Sequence, residues 1–569
     1  MKKVWFIGAV SLVALLAAGV AGVHRWFNPP PPPVQLFTNG TILTMDRGNP
    51  QVDAMLVKRG EIVALGDSDA LRDQVSRDVR VVDLQGGVLM PGFIEAHGHF
   101  PGEGLSAVAV DANSPPIGDL DSIASLLERL RTLGQRRPSG ALMAYGFDDT
   151  TVKDQRYPTR AELDTVSETR PIMVMHISGH LGVVNSAALK AMSISENVQD
   201  PPGGYYGRDG DGRLNGLLAE TAFNPVRANI MKLSAMDGYR VMRRASRLYL
   251  SRGVTFAQNG LADTTTIKAL VPALRFGLIP LRLSVWPDAA AEQARKNGQW
   301  ALPEGERVHL GPVKLVSDGS LQGYTGFLND PYFTVPENHP PEYLGFPNQS
   351  PQQLARQVVQ FHCAGRQTAI HANGDAAITM SLDAVAQARQ QCPEVTVQPV
   401  LIHAQMAARD QLARMQALDV IPSFFNNHVF YWGDRHRDIF LGPERASRIS
   451  PLAEAAEQGL RFTLHADSPV VPFQPLQLVW NAVERRTASG DLLGPQQAIS
   501  VERALQAVTV DAARQLGVDD RVGQLRIGKR ADLVWLDRDP REFIGDWSSI
   551  QVRGTWVDGV RRYPERIAE

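Results

Sequence analysis

Two histidines separated by one residue are the first feature of this sequence that could do chemistry. His97 and His99 end an apolar run, in the segment Glu95-Ala96-His97-Gly98-His99. Alternate residues of a strand point to the same face, so both imidazoles can reach one metal ion. A single pair of this kind also arises by chance, and a hydrogen-bonded core role is equally open for it.

Four more residues of metal-binding type belong to other apolar runs of the chain. A lone histidine at a strand end is more often a core residue than a ligand, and a lysine among apolar neighbours is usually explained by an ion pair. The joint pattern is more informative, because four histidines and an aspartate then fall at predicted strand ends. The further residues are His371, His403 and Asp467, which end or follow their runs, and Lys314, which lies inside its run.

The central part of the chain contains the elements that could position these residues together. Apolar runs alternate there with helix-like stretches, which favours a parallel sheet; eight units favour a closed, TIM-like (β/α)8 barrel of the α/β class. Catalytic residues of such barrels occupy the C-terminal ends of the strands, where the histidines and the aspartate stand. The eight runs are 88–96, 253–258, 281–285, 313–317, 368–371, 400–403, 420–424 and 461–464.

The remaining segments predict two additions to this barrel. Strand-like patterns with turn signals at 34–88 and 515–569 predict one small β-sandwich domain built from both termini. The barrel would then span 89–514. Residues from about 100 to 245 depart from the repeat and carry Pro- and Gly-rich stretches, so we expect a large insertion there after the first barrel strand, with a lid as one interpretation.

The first 28 residues are typical of a signal-anchor or transmembrane segment. Lys2 and Lys3 precede an uncharged apolar run at 4–23, which is long enough to cross a hydrocarbon core of ~30 Å. The run is longer than a usual cleaved signal peptide, but small residues near its end would permit cleavage, so both outcomes stay open. The prolines at 29–33 predict a stiff spacer. The body is expected outside the cytoplasm (in the periplasm of a Gram-negative bacterium), membrane-anchored or secreted.

Composition excludes several classes of protein. The chain has 569 residues, 44% hydrophobic and 21% charged, which excludes a disordered chain, a coiled coil or a collagen. A net charge of −2 argues against a nucleic-acid partner, since such proteins carry a basic face. Cys363 and Cys392 are too few for a disulfide scaffold or a Cys-rich zinc site, and whether they pair stays open.

Longer segments of the chain resemble the amidohydrolase superfamily, and within it amidohydrolase family 3, the branch with N-substituted formamide deformylase-like enzymes. The strongest signatures are 90–99, Met-Pro-Gly-Phe-Ile-Glu-Ala-His-Gly-His, and 528–534, Gly-Lys-Arg-Ala-Asp-Leu-Val. Residues 313–320, 371–375 and 178–189 are also similar to this family. The resemblance covers nearly all of the chain after the prolines.

This resemblance implies a binuclear metal site. A free lysine is protonated and a poor ligand at pH 7, whereas its carbamate is an oxygen anion that can span two cations. Burial would lower the pKa of that lysine and expose the amine to CO2. Nitrogen-rich ligation suits zinc, with manganese, iron and cobalt left open. One ion would be held by His97, His99 and Asp467, the second by His371 and His403, and carboxylated Lys314 would bridge them.

The reaction implied by the resemblance is hydrolysis of an amide-type C–N bond in a small organic substrate. A hydroxide bridging two divalent ions would attack a carbonyl that one of the ions polarises. Asp467 would be the catalytic residue that takes the proton of this hydroxide and passes it to the leaving amine.

Three further histidines are candidates for substrate binding. His176 and His180 lie in the insertion, where similar positions of the family face the active site; a capping or core role is equally open for them. His428 follows the seventh run, in an aromatic loop that either lines an apolar pocket or packs the insertion onto the barrel. Asp318 and Gln322, after the fourth run, are additional candidates.

Other functions remain open at this level. The same hydroxide would also attack a cyclic amide, a carbamate or an ester. A non-catalytic envelope scaffold on the same fold is the alternative from another class, although a binder has no need of a buried lysine beside four histidines. The expected partners are a small-molecule substrate and, through the N-terminal segment, a membrane; a homo-oligomer is also left open.

Overall fold

The computed structural model describes residues 29–564, except 77–78, 304, 306, 337–338, 543–544 and 546. The predicted signal-anchor segment, 1–28, lies outside the described residues. Within the described part of the chain, no helix has both the length and the apolar character needed to cross a membrane.

The chain after the prolines begins with seven short strands. One of the turns signalled in 34–88 is a hairpin around Arg59-Gly60, where β4 pairs with β5 in antiparallel register, with Lys58 opposite Glu61. A short helix, Ser68–Arg72, lies between β5 and β6. The strands are β1 Val34–Thr38, β2 Thr41–Leu43, β3 Gln51–Val52, β4 Ala54–Lys58, β5 Glu61–Gly66, β6 Arg80–Asp83 and β7 Val88–Pro91.

The first predicted barrel run, 88–96, is two strands rather than one. Strand β7 pairs with β2, whereas β8, Phe93–Ile94, pairs in parallel with a central strand, β15. Gly92 separates them, and a Cβ at this position would lie 2.2 Å from the Thr255 side chain. The chain can therefore pass from one sheet to the next only because this residue has no side chain.

The segment between β8 and β15 forms a six-stranded sheet of its own, in the order β13-β14-β12-β11-β10-β9. Apolar clusters cover both faces of this sheet, and each cluster includes side chains from its flanking helices. The strands are β9 Val110–Asp111, β10 Leu142–Phe147, β11 Ile172–His176, β12 Leu181–Val184, β13 Gly204–Arg208 and β14 Leu214–Glu220. The helices are Ile123–Arg136, Arg160–Asp164, Ser186–Ala191, Asn224–Ile230 and Ala235–Ser251.

The central strands all pair in parallel. They form two sheets, β17-β16-β15-β8 and β18-β19-β20-β21-β22, and backbone bridges join Asp288 to Lys314 and Gly98 to Ser468 across the two gaps. Each of the eight predicted runs overlaps one of the strands β8, β15, β16 and β18 to β22, and β17 is an additional strand. The strands are β15 Val254–Ala262, β16 Arg282–Pro287, β17 Val308–Leu310, β18 Val313–Val316, β19 Thr368–Ala372, β20 Val400–His403, β21 Ile421–Phe424 and β22 Thr463–Leu464.

Helices alternate with the central strands, and the largest apolar cluster contains residues of both. This arrangement hides both faces of the parallel strands from water, which explains why the strands are continuously apolar. The helices are Thr264–Arg275, Ala289–Lys296, Pro351–Cys363, Asp375–Gln391, Arg409–Ala417, His428–Arg435, Gly442–Ala446, Leu452–Glu457, Pro475–Glu484, Val501–Ala507 and Val510–Gln515.

The two ends of the chain share a sheet. Strands β23 Leu533–Leu536, β24 Val552–Val557 and β25 Val560–Tyr563 continue into β7, β2 and β3, in the order β25-β24-β23-β7-β2-β3. The four-stranded sheet β5-β4-β1-β6 shares an apolar cluster with it, in which the rings of Phe37 and Trp556 are 5.5 Å apart.

A buried group of charges joins this terminal region to the central strands. Arg282, at the start of β16, donates to both Asp532 and Asp558 and is almost fully buried. Two carboxylates around one guanidinium compensate the cost of burying the charge. This contact accounts for the aspartate of the 528–534 motif, which has a structural role at the end of the strands opposite the histidines.

The two cysteines form a disulfide. Cys363 ends the helix before β19, and Cys392 follows the helix after β19, so that the bond connects the two helices that flank this strand. The question left open by the sequence is thereby answered in favour of pairing.

We expect removal of this disulfide to destabilise the fold without changing its chemistry. Closing a loop of about 30 residues restricts the unfolded chain, which is worth about 2–4 kcal/mol. The Cys363→Ser/Cys392→Ser variant should unfold at correspondingly lower denaturant concentration under non-reducing conditions. Wild type treated with a reductant is the matched control; equal midpoints for oxidised and reduced wild type would contradict the assignment.

Candidate functional site

The six predicted ligand residues lie at one end of the central strands. They come from five separate segments of the chain, and the parallel pairing places the carboxyl ends of the corresponding strands side by side. His97 and His99 follow β8, Lys314 lies in β18, His371 lies in β19, His403 ends β20 and Asp467 follows β22.

Asp467 is in contact with the first pair of histidines. Its Oδ1 lies 3.3 Å from Nε2 of His97 and 3.1 Å from Nε2 of His99. These three side chains present ligand atoms that all lie within 4.8 Å of one another, which suits a single cation. Lys314 Nζ is 3.0 Å from Nε2 of the same His97.

The second pair of histidines lies beside the first group. The rings of His371 and His403 are 4.4 Å apart, and Nε2 of His403 is 3.9 Å from Oδ2 of Asp467. The two oxygens of Asp467 therefore face different histidines, with His97 and His99 on one side and His403 on the other.

The backbone is unusual at two of these positions. His403 and Asp467 have φ values of 73° and 50°, in the left-handed region that residues with a side chain rarely adopt. Such conformations cost about 1–3 kcal/mol and persist where the surroundings impose them, often at functional sites. Here they occur where two of the candidate ligand strands end.

Several buried polar atoms of the group have no protein partner. Among the described residues, neither ring nitrogen of His403 and not Nδ1 of His97 makes a hydrogen bond. Within the described part of the chain, the Nζ of Lys314 has one hydrogen-bond partner, Nε2 of His97. Buried polar groups are almost always satisfied, so these atoms fit a site whose ligand is a cation or an ordered water.

The electrostatics also suit metal binding. Burial lowers the pKa of His97 and His403 well below the usual range, so both are neutral and can act as ligands at pH 7. Burial lowers the pKa of the Lys314 amine to about 7, despite the opposing attraction of Asp467. Burial would raise the pKa of Asp467, but its contacts with His97 and His99 outweigh this effect and keep it anionic.

Asp318 orients His371 and is not a substrate contact. Its Oδ1 lies 3.0 Å from Nδ1 of His371, and its two oxygens accept backbone N–H groups of Phe327, Asn373 and Gly374. A carboxylate held by these donors fixes the ring so that Nε2 is directed to the pocket side, where Asn373 Nδ2 lies 3.4 Å from it, a common arrangement behind a metal-binding histidine. The prediction that Asp318 meets substrate is corrected accordingly.

Steric crowding explains why glycine lies between His97 and His99. A Cβ on Gly98 would lie 2.1 Å from Oε1 of Glu95, which is fully buried beneath it. Tyr249 Oη contacts both oxygens of Glu95, at 3.0 and 2.9 Å, and burial raises the pKa of this carboxyl group well above normal. Glu95 and Tyr249 thus support the backbone that carries both histidines.

A small pocket opens at this group. Candidate ligands, residues of the insertion and residues of the loops after β18 and β21 enclose it together. Of the predicted substrate contacts, His180, His428 and Gln322 line the pocket. The lining residues are Ile177, Ser178, His180, Ser320, Gln322, His371, Asn373, His403, Phe425, His428, Trp432, Asp467 and Val470.

His176 does not line this pocket. Its Nδ1 lies 2.8 Å from Oγ of Ser178, and its Nε2 is 3.5 Å from Asp149. The alternative that the sequence left open, a buried histidine that supports the local backbone, describes this position better than substrate binding.

The aromatic segment after β21, expected from the sequence to be a loop, continues into the helix His428–Arg435; it both lines the pocket and contacts the insertion. The ring of His428 is 4.1 Å from that of Phe425 and 5.6 Å from that of Trp432. Trp432 Nε1 also donates to Asp148 of the insertion, at 3.3 Å, and Arg435 forms an ion pair with the same carboxylate, at 2.7 Å. Side chains of this segment therefore lie both in the pocket wall and against the insertion, as the two interpretations of the sequence expected.

Two residues near the pocket were not singled out from the sequence. His465 is fully buried, with its ring 5.3 Å from His97 and 5.1 Å from His403. Its spacing of two from Asp467 is the same signal that identified His97 and His99, and could have found it. Glu220, whose Oε2 is 2.9 Å from Nδ1 of His180, had no such signal because it lies 40 positions away.

Comparison with protein families agrees with this geometry. The family model described as amidohydrolase family matches residues 80–563. The chain belongs to the amidohydrolase family. The family prediction made from the histidine motif and the C-terminal motif is confirmed.

Individual relatives match over most of their length. The N-substituted formamide deformylase of Arthrobacter pascens is 29% identical, over 93% of this chain and 98% of that protein. Among solved structures, an uncharacterized metal-dependent hydrolase from Pyrococcus furiosus has a TM-score of 0.70 at 25% identity, over 90% of this chain and 100% of that one. A similar protein from Pyrococcus horikoshii OT3 has a TM-score of 0.73 at 24% identity, over 90% of this amidohydrolase and 98% of that chain.

We expect Asp318→Asn to weaken metal binding at the His371 position. The amide nitrogen would face backbone N–H donors, so the side chain can no longer satisfy them and hold the ring. Loss of such an orienting partner typically costs 10–100-fold in metal affinity, which a competition titration with a chromophoric chelator would measure. Asp375→Asn, a nearby carboxylate that bonds Asn329 instead, is the matched control. Equal affinity for both variants would contradict the role given to Asp318.

Proposed function

We propose that this amidohydrolase hydrolyses an amide-type C–N bond in a small organic substrate at a binuclear metal centre. The observation that carries the proposal is the meeting of four imidazoles, a carboxylate and a buried amine at one pocket. Unpartnered ring nitrogens on His403 and His97 support a resident cation. The same atoms argue against a non-catalytic scaffold, since a binding surface would gain nothing from burying them.

The donor set fits two divalent ions, with zinc as the best match to its nitrogen-rich character. When bound, they would polarise the carbonyl and lower the pKa of a coordinated water. His97, His99 and Asp467 would hold one ion and His371 and His403 the other. Lys314, carboxylated by CO2, would bridge them; its burial and its pKa of about 7 supply the neutral amine that this modification needs.

Asp467 is the group that moves the proton in this proposal. Its two oxygens lie between the His97–His99 pair and His403, and its low pKa keeps it deprotonated at neutral pH, with both oxygens open to a proton. A carboxylate in this position can take the proton of the attacking water and return it to the leaving amine. His180 and His428, on opposite elements of the pocket wall, would contact the substrate.

An amide is favoured over other substrates by one relative. The Arthrobacter pascens protein, whose name specifies N-substituted formamides, matches this chain over nearly its full length. The apolar side chains of Ile177, Phe425, Trp432 and Val470 in the pocket suit an apolar substituent on the substrate. A screen of N-formyl and N-acyl amines with the zinc-loaded protein tests the proposal. Turnover of esters or cyclic amides alone would overturn the bond assignment.

The organisation of the chain is part of the proposal. We take the nine parallel strands, β8 and β15 to β22, and the two bridges between their sheets as a closed barrel within 89–514, interrupted by the insertion of about 100–245. The terminal segments 34–88 and 515–569 would form the β-sandwich domain. Limited proteolysis that released a stable fragment of about 100–245 would support the boundaries given to the insertion.

We also propose an extracytoplasmic location, with residues 1–28 as signal-anchor. The Cys363–Cys392 disulfide supports it, since such bonds persist mainly in oxidising compartments. A periplasmic reporter fused at the C-terminus should be active. Activity of a cytoplasmic reporter alone at this position would refute the topology.

Lys314→Ala is expected to lose much of the bound metal. Elemental analysis of wild type should give about two metals per chain, and the alanine variant should give fewer because the bridging carbamate cannot form. Added acetate should restore part of the activity by supplying a carboxylate. Lys314→Arg should be no better than alanine, since guanidinium stays charged and is not carboxylated. An arginine variant with both metals and normal turnover would mark Lys314 as an ordinary ion-pair residue.

Asp467→Asn is expected to separate binding from turnover. The amide oxygen can still contact a cation, but the side chain cannot carry a proton, so kcat should fall by about 10²–10⁴-fold. Metal at the His371–His403 position should largely remain, as elemental analysis would show. A variant that turns over at the wild-type rate would exclude Asp467 from proton transfer.

A further inference from the structure

The insertion contributes an imidazole–carboxylate pair to the pocket, separate from the six candidate ligands. His180 lines the pocket, and its ring is 5.2 Å from that of His371. Its Nδ1 lies 2.9 Å from Oε2 of Glu220, whose side chain is 3% exposed. Because Nδ1 faces Glu220, the opposite edge of the ring, with Nε2, is the edge available to the pocket.

The pair is held by more than the side-chain hydrogen bond. The backbone N–H of Glu220 donates to the carbonyl of His180, at 2.7 Å, and so fixes the two residues against each other. Asn348 Nδ2, from the chain after β18, approaches Oε2 of Glu220 at 3.4 Å. Arg227 donates to the carbonyl of Gly179 at 2.7 Å and holds the turn that carries His180.

Glu220 occupies a strained backbone position. Its φ is 52°, in the left-handed region, at the end of β14. The chain after β18 also makes room for this side chain, because a Cβ on Gly319 would lie 2.4 Å from Oε1 of Glu220. A strained residue and a close glycine contact both indicate that the carboxylate is held in one place.

Nε2 of His180 is the ring nitrogen on the pocket side, and within the described part of the chain it is available to a substrate. Among the described residues, His180 makes no hydrogen bond through Nε2. A carboxylate behind Nδ1 places the proton on that nitrogen and orients the ring, as in other sites where an imidazole meets a substrate or a metal. His180 is therefore presented to the pocket in a defined orientation.

We infer that Glu220 is a positioning residue, which holds His180 so that Nε2 contacts the substrate at the scissile group. The inference rests on the proposed function and extends it, because it makes the insertion a part of the reacting site rather than a cover over it. The role inferred for Glu220 leaves the six proposed metal ligands unchanged.

The test compares Glu220→Gln with Glu220→Leu in the zinc-loaded full chain. Leucine keeps the bulk but cannot accept the Nδ1 proton, so kcat/KM should fall by about 10–100-fold. Glutamine keeps an acceptor oxygen and should recover most of the activity. Metal content should equal that of wild type in both variants.

A double-mutant cycle separates positioning from a merely structural role. In the His180→Gln background, Glu220→Leu should cause no further loss, because Glu220 is inferred to act on the substrate through His180. Asp164→Asn is the matched control: this carboxylate accepts hydrogen bonds from Ser186 within the insertion and is not one of the residues that line the pocket, so kcat/KM should stay within about threefold of wild type. A full loss repeated in the His180→Gln background, or a Glu220→Leu variant as active as wild type, would overturn the inference.

A measurement that does not depend on catalytic activity tests the His180–Glu220 pair separately from the proposed function. In ¹⁵N-histidine-labelled protein, assigned through His180→Gln, the ring of His180 should show a protonated Nδ1 in wild type and a mixture of tautomers in Glu220→Leu. If zinc-loaded wild type hydrolyses no amide, the proposed function fails while this result still supports the pair. Identical ¹⁵N shifts in wild type and Glu220→Leu would overturn the pair itself.

Discussion

The buried carboxylate of Asp467 is the constraint on which the arrangement of the centre depends. An anion in the protein interior needs partners on several sides, and Asp467 finds them in His97, His99 and His403. These histidines follow or end β8 and β20, while Asp467 itself follows β22. The bridge between Gly98 and Ser468 and the hydrogen bond from His99 N to Ser468 O, at 2.6 Å, keep the first and last of these strands adjacent.

Around this centre the protein repeats one device, a carboxylate placed behind an imidazole. Asp318 stands behind His371 and Glu220 stands behind His180, each at about hydrogen-bond distance. The carboxylates come from different elements, one from the loop after β18 and one from the insertion. The orientation of the pocket therefore depends on contacts between the central strands and the insertion, and the Asp148–Arg435 ion pair strengthens the same junction.

Particular segments show how much of the fold the local sequence pattern could predict. The eight apolar runs were recognisable because strands buried on both faces are continuously apolar. The prediction of one strand at 88–96 was wrong for the same reason. Strands β7 and β8 are equally buried but belong to different sheets, and hydrophobicity does not indicate which sheet a strand joins. Gly92 marked the break, but its meaning depends on Thr255, which is distant in sequence. His176 and Asp318 were likewise recognised as polar residues near strand ends, while their partners were not.

The sequence by itself determined the α/β class, the family, and the six side chains that converge, since residue type and position at a strand end are local properties. Only the tertiary structure decided which atoms meet: that Asp467 faces three histidines, that Asp318 serves His371, that Glu220 serves His180, and that Cys363 and Cys392 pair. Each of these contacts joins segments that are far apart along the chain, and their sequence separation does not indicate how close they lie in the fold. They arise when parallel strands and an insertion are packed into one body, because packing, rather than local pattern, sets which side chains share a space.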